Sequence, residues 1–87
     1  MKSKLKPRNF TNDVREKLEQ LRNRHPEPIH SAHEGYGLLL EEVDEVWEEV
    51  KRKNSLRDYT AVYLELVQIA ARAQRFAEDV VLPRTSK

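Results

Sequence analysis

Two stripes of apolar residues at helical spacing constrain the fold of this chain most strongly. Their members recur at intervals of three or four residues, which is the pattern of a buried helix face. The first stripe comprises Leu39, Val43, Val46, Trp47 and Val50, and the second comprises Tyr59, Val62, Leu66, Ile69, Ala73, Phe76 and Val80. Only two glycines and four prolines interrupt the sequence. The pattern therefore predicts an all-α fold with three helices.

Capping and helix-breaking residues predict where the helices begin and end. Thr11 or Asn12 would cap the first helix, and the segment His25–Pro28 ends it because proline cannot donate to the helical ladder. Ser31 is followed three residues later by an acid, which is a capping-box signature, and Ser55 repeats that arrangement. The predicted helices cover residues 11–24, 31–53 and 55–81.

The size of the chain indicates that it does not complete its core alone. A domain of 87 residues buries only about 60–65% of its unfolded surface, and no cysteine is present to supply a disulfide or zinc-thiolate staple. The short corner between the second and third helices predicts a long antiparallel helical hairpin. Its two apolar stripes are more than one short helix can cover. We therefore expect homo-oligomerisation to complete a four-helix core, as a homodimer or a homotetramer.

Charge is segregated along the chain although the formal net charge is only +1. Residues 1–24 and 51–87 are mainly basic, whereas residues 34–49 contain seven acids and no lysine or arginine. We expect a basic flexible arm over residues 1–10, a single helical domain over residues 11–82 and a polar tail over residues 83–87. The basic residues could contact nucleic acid, but no recognition-helix motif is present and the acidic stretch would repel a duplex. Nucleic acid is therefore not the expected partner.

The sequence also limits the expected location of the protein. No apolar run is long enough to cross a membrane, so we expect no membrane span. The basic start is not followed by the apolar segment of a signal peptide. The absence of cysteine fits a reducing compartment, and a cytoplasmic location is therefore expected.

Acidic side chains concentrate on one flank of the second predicted helix. At about 100° per residue, Glu42, Glu45 and Glu49 fall together beside the apolar stripe. Glu65 and Gln68 occupy the equivalent flank of the third helix, and in an antiparallel hairpin the two flanks can form a half-buried pocket with Glu49 at its margin. Oxygen ligands of this kind suit Mg²⁺ or Mn²⁺. The alternative is an exposed acidic face balanced by neighbouring bases, and spacing alone does not separate the two.

Two arginines share the flank of the third helix with Glu65. Arg72 and Arg75 lie one to two turns further along it. Because guanidinium groups bind phosphate oxygens through paired hydrogen bonds, both are candidates for clamping a phosphate. A structural ion pair with Glu49 or Glu78 is the alternative for either arginine.

The acidic residues form two motifs in order along the hairpin. Glu41-Glu42-Val43-Asp44-Glu45 is followed by Glu65-Leu66-Val67-Gln68. This pair resembles the motifs Glu-Glu-x-x-Glu and Glu-x-x-Asp of the MazG-like, all-α nucleoside triphosphate pyrophosphohydrolases, except that Gln68 stands where that family has Asp. The resemblance covers roughly residues 31–81.

The resemblance implies Mg²⁺-dependent hydrolysis of a nucleoside triphosphate between its α and β phosphates, giving a nucleoside monophosphate and pyrophosphate. Carried over by position, Glu42, Glu45 and Glu65 would be the catalytic metal ligands, and Gln68 would occupy the fourth position. Glutamine offers a carbonyl oxygen to a metal but no charge, and it cannot act as a base. Glu49 could supply the missing acid, or catalysis could proceed with three carboxylates. The alternative function is a catalytically silent helical module that binds nucleotide or mediates assembly.

Overall fold

A computed structural model describes residues 9–85 of the chain, and over that range it contains helices and no strand. The three α-helices are α1 (Phe10–Arg24), α2 (Ala32–Val50) and α3 (Tyr59–Phe76). A 3₁₀ turn, Asn54–Leu56, lies between α2 and α3, and α3 continues into a π-helical turn, Ala77–Val81, and a 3₁₀ turn, Leu82–Arg84. Most of the predicted basic arm and the last two residues of the predicted tail lie outside the described residues. None of the helices over residues 9–85 has the length and apolar content that a membrane span requires.

The predicted capping box at the start of α2 is present, with one difference. The Ser31 Oγ accepts a hydrogen bond from the backbone N–H of Glu34 at 3.1 Å, as expected. The Glu34 Oε1 accepts from the N–H of His30 at 2.8 Å, whereas the ordinary box returns to the N–H of the capping residue itself. The acid thus ties the preceding loop to the helix and fixes the direction in which the chain enters α2.

The predicted caps of the other two helices were wrong. The Asn9 Oδ1 accepts from the N–H of Asn12 at 2.9 Å, so α1 begins before the predicted Thr11, and asparagine is among the strongest capping residues. Ser55 lies in the 3₁₀ turn, and Asp58 caps α3 instead by accepting from the N–H of Ala61 at 3.1 Å. A glutamate of α2 holds the N–H of Asp58, which keeps the backbone extended there and delays the start of the helix.

Helices α2 and α3 pack along each other, and α1 packs on α3. The contacts between α2 and α3 include Gly35 with Phe76 and Glu42 with Arg72. At Gly35 the two helices approach so closely that a Cβ atom would lie 2.5 Å from the ring Cδ1 of Phe76. A glycine is therefore needed at this position for the aromatic ring to lie against the α2 backbone.

The buried core is small, and the predicted stripes contribute little to it. The buried apolar residues are Leu21, Ile29, Val67, Ala71 and Val80. In α2 the stripe residues Val43 and Trp47 are 43% and 57% exposed, and in α3 Tyr59 and Leu66 are 62% and 43% exposed. Much of the α2 stripe and the first part of the α3 stripe therefore remain an uncovered apolar surface, whereas Phe76 and Val80 at the end of the α3 stripe pack within the chain.

Candidate metal and phosphate site

Three glutamates converge where α2 passes α3. One carboxylate oxygen from each of Glu42, Glu45 and Glu65 lies within 4.8 Å of the others. Glu42 and Glu45 are one turn apart on α2, and Glu65 comes from α3, as the flank geometry of the sequence predicts. Glu42 is only 6% exposed, Glu65 is half-buried and Glu45 is exposed. This cluster, referred to below as the carboxylate cluster, could hold a metal ion.

Several buried oxygens at this site have no hydrogen-bond partner. Over the described residues, Glu42 Oε1, Glu65 Oε1 and Gln68 Oε1 are all buried and unpaired. Most buried polar atoms in folded proteins do have a partner, and leaving one unpaired is costly. Carboxylate and amide oxygens are also the ligands that hard divalent cations prefer. The unpaired oxygens therefore fit a cation chemically, and Gln68, three residues after Glu65 on α3, carries a neutral oxygen of the same kind.

The ionisation of Glu65 reflects this crowding. Burial, together with the neighbouring carboxylates of Glu42 and Glu45, raises the pKa of Glu65 from 4.5 to about 7. Near neutral pH the cluster therefore holds either a proton or a full set of negative charges. A cation would compete with that proton, because metal ligands bind in their deprotonated form.

Arg72 contacts the carboxylate cluster directly. Its Nε donates to Glu42 Oε2 at 3.0 Å, and both side chains are largely buried. Glu42 therefore has one oxygen neutralised by the guanidinium and the other unpaired. The two terminal nitrogens of Arg72 make no hydrogen bond within residues 9–85, so they are free to donate to an anion beside the cluster.

Glu49 lies outside the cluster and has a structural role at the corner after α2. Its Oε2 accepts from the backbone N–H of Asp58 at 2.7 Å, and its Oε1 pairs with Arg52 at 3.4 Å. Both carboxylate oxygens are thus engaged in joining the end of α2 to the start of α3. The structure does not bring Glu49 to the position that the sequence predicts at the margin of the pocket.

Arg75 also makes structural contacts. Its terminal nitrogens donate to the backbone carbonyls of Leu21 at 3.1 Å, of His25 and of Glu27 at 2.7 Å, and its Nε donates to Asp79 at 3.1 Å. The buried guanidinium satisfies carbonyls at the C-terminal end of α1 and in the loop that follows. All three of its nitrogens are occupied, whereas those of Arg72 are not.

Sequence reasoning missed the group that balances Arg75. Asp79 accepts hydrogen bonds from Arg75, from Arg22 at 3.0 Å and from the N–H of Ile29 at 3.0 Å. These donors lower the pKa of Asp79 although burial opposes them. The four-residue spacing between Arg75 and Asp79 is a signal for an ion pair on a helix. Neither candidate arginine makes the alternative ion pair with Glu49 or Glu78.

No family model, curated protein or solved structure matches this chain. The chemistry of the site therefore has to be inferred from the side chains themselves. Buried carboxylate oxygens beside a partly free guanidinium form a site with adjacent places for a divalent cation and for an oxyanion. Phosphate esters and anhydrides suit both places, because their oxygens bind hard cations and accept hydrogen bonds from arginine.

Proposed function

We propose that this protein is a metal-dependent nucleoside triphosphate pyrophosphohydrolase. In this reaction water is added across the anhydride between the α and β phosphates, which releases a nucleoside monophosphate and pyrophosphate. The observation that carries the proposal is the convergence of Glu42, Glu45 and Glu65, with an unpaired buried oxygen on two of them. The order of these residues in the two motifs gives independent support.

Each side chain of the site has a distinct role in the proposed reaction. Glu42, Glu45 and Glu65 hold Mg²⁺ or Mn²⁺, and Gln68 offers a neutral oxygen at the fourth position. The bound cation would neutralise phosphate charge and lower the pKa of a water molecule. Arg72 holds the Glu42 carboxylate in place through its Nε, and its terminal nitrogens would donate hydrogen bonds to a phosphate oxygen. Phosphoryl transfer depends chiefly on such positioning and electrostatics, so a small helical site suffices.

We further propose that α2 and α3 form an antiparallel hairpin and that a second copy of the chain covers its apolar surface, giving a four-helix core. Exposed apolar residues lie in the stripes of both helices, Trp47 on α2 and Tyr59 on α3 among them. Contiguous exposed apolar patches mark interaction surfaces. A twofold axis pairs each stripe with an equally apolar one. A homodimer and a homotetramer both satisfy this requirement, and a cytoplasmic location suits a substrate that is a nucleotide.

Pyrophosphate release tests the catalytic proposal. The wild-type protein should release pyrophosphate from at least one member of a broad nucleoside triphosphate panel when Mg²⁺ or Mn²⁺ is added. The double variant Glu42→Gln with Glu45→Gln should lose this activity. Glu48→Gln is the matched control, because Glu48 is an exposed acid on the same helix that pairs only with Lys51, and surface pairs of that kind contribute little. Equal rates in the wild type and the double variant would refute the proposal.

The second candidate function is a catalytically silent module that binds nucleotide or mediates assembly. It is favoured by Gln68, whose amide leaves its oxygen unpaired and brings no negative charge to the site. Nucleotide binding without any turnover would support this alternative. Gln68→Asp should then create or greatly increase pyrophosphate release, because it supplies the missing carboxylate.

A further inference from the structure

A cavity of about 250 Å³ lies between the loop after α1 and the helices α2 and α3. Pro28, Ile29 and Leu38 give it apolar walls. Its charged lining residues are Glu27, Glu34, Arg72 and Arg75, and the guanidinium of Arg75 is fully engaged by backbone carbonyls and Asp79. Pockets that enclose drug-sized ligands are usually about 300–1,000 Å³. This cavity is therefore large enough for a single ring system, but it is too small to enclose a complete nucleoside triphosphate.

The cavity adjoins the carboxylate cluster along α2. Glu34, Leu38 and Glu42 follow one another at four-residue intervals, so they lie on one face of the helix. Four residues correspond to about 6 Å along a helix axis, which is the step from the wall of the cavity at Leu38 to the cluster at Glu42. Arg72 connects the two places, because it lines the cavity and also donates to Glu42. A ligand with its phosphates at the cluster would place its other end in the cavity.

The cavity offers a hydrogen-bond acceptor that only some nucleobases can use. The Glu34 Oε1 accepts from the N–H of His30 at 2.8 Å, which fixes the orientation of the carboxylate. The other oxygen, Oε2, has no hydrogen-bond partner in the part of the chain that the structure describes. An exocyclic amino group can donate to this oxygen, whereas a carbonyl oxygen in the same place would be repelled by it.

We propose that this cavity binds the nucleobase of the substrate and that Glu34 selects bases with an exocyclic amino group over bases with a carbonyl at that position. The inference rests on the proposed function for the kind of ligand, and it adds the base preference that the sequence leaves open. Cytosine and uracil are the matched pair, because position 4 carries an amino group in cytosine and a carbonyl in uracil.

Binding of CMP and UMP in the presence of Mg²⁺ tests this inference independently of catalysis, because a nucleoside monophosphate has no anhydride to hydrolyse. Calorimetric titration of the wild-type protein should show CMP binding about tenfold more tightly than UMP, because one hydrogen bond to a charged group distinguishes them. In Glu34→Gln the side-chain oxygen still accepts from His30, and the amide N–H₂ group replaces Oε2. This variant should lose the preference for CMP or reverse it. Glu48→Gln should retain the wild-type preference.

A second variant tests the location of the base without changing charge. Leu38→Phe fills the cavity, so both nucleotides should bind at least about tenfold more weakly, while Mn²⁺ binding at the carboxylate cluster stays unchanged. If Leu38→Phe binds both nucleotides as tightly as the wild-type protein does, the base must lie elsewhere and the inference is overturned. Equal affinity of the wild type for CMP and UMP would also overturn it.

The outcomes for the cavity and for catalysis are distinguishable. A CMP preference that depends on Glu34, without pyrophosphate release from CTP, would support base recognition and refute the enzymatic proposal. Pyrophosphate release at equal efficiency from CTP and UTP, unaffected by Glu34→Gln, would support the enzymatic proposal and refute base recognition by this residue.

Discussion

Glu65→Gln should stabilise the metal-free protein at alkaline pH and abolish its stabilisation by metal. Glu65 is the carboxylate of the cluster with the raised pKa, because it is partly buried against Glu42 and Glu45. Glutamine has nearly the same shape and carries no charge. The substitution therefore removes the repulsion within the cluster, and it also removes a ligand that a cation would need.

The magnitude follows from the pKa of Glu65, which rises from 4.5 to about 7. Because the folded state holds this proton more tightly than the unfolded chain, its contribution to stability is fully present below about pH 4.5 and is lost as the pH rises through about 7. At ~1.4 kcal/mol per pH unit the upper bound is ~3.4 kcal/mol. Solvent screening of a half-exposed group reduces this to roughly 1–2 kcal/mol. For a domain of this size that corresponds to a rise in Tm of roughly 5–15 °C in the variant.

Thermal denaturation followed by circular dichroism measures this effect. With EDTA present, the Tm of the wild type should fall between about pH 5 and about pH 8 relative to that of Glu65→Gln. Addition of Mn²⁺ near pH 8 should raise the Tm of the wild type and leave that of the variant almost unchanged. All samples need the same chain concentration, because oligomerisation also shifts Tm. Parallel pH profiles for the two proteins in EDTA would refute the reasoning, since the Glu65 carboxyl group would then not resist ionisation in the folded state.

Four further substitutions test packing, metal affinity and assembly. Gly35→Ala should cost ~1–3 kcal/mol because its Cβ would overlap the Phe76 ring, whereas Gly37→Ala, which meets nothing within 4 Å, should gain up to ~1 kcal/mol of helix propensity. Denaturant titration should therefore move the two variants in opposite directions. Gln68→Asp should tighten Mn²⁺ binding by about an order of magnitude in calorimetry, since it adds a charged oxygen ligand. Trp47→Glu should reduce the mass measured by analytical ultracentrifugation, because it places a charge on the proposed interface.

Local features of the sequence predicted the helices and the carboxylate cluster. Helical periodicity located all three helices within a few residues of their observed bounds, and the capping box at Ser31 marked the start of α2. Glu42 and Glu45 are one turn apart on any helix, and Glu65 occupies the matching flank of the next. These relations depend only on helix geometry and on the packing of two neighbouring helices, so one sequence is sufficient to predict them.

The contacts that sequence reasoning missed are between distant parts of the chain. The guanidinium of Arg75 binds backbone carbonyls in and after α1, and no residue pattern identifies a carbonyl as a partner. Glu49 was expected beside the metal, but a backbone N–H at the start of α3 holds it. Periodicity also selected a stripe on α3 whose early members Tyr59 and Leu66 are exposed, whereas Val67 and Ala71, which it did not select, are buried. A strongly apolar face is usually buried, but its hydrophobicity does not identify the surface that buries it.

The position of the carboxylate cluster between two fixed contacts explains how the chain can hold like charges together. Phe76 lies against Gly35 on one side of the cluster, and Glu49 holds the start of α3 on the other. Moving the helices apart to relieve the repulsion would break one of these contacts and would expose the small buried core. The carboxylates therefore stay close together without a cation, and the cost appears in the raised pKa of Glu65. A site fixed in this way needs little rearrangement to bind a cation, which would favour cation binding at the expense of the stability of the metal-free chain.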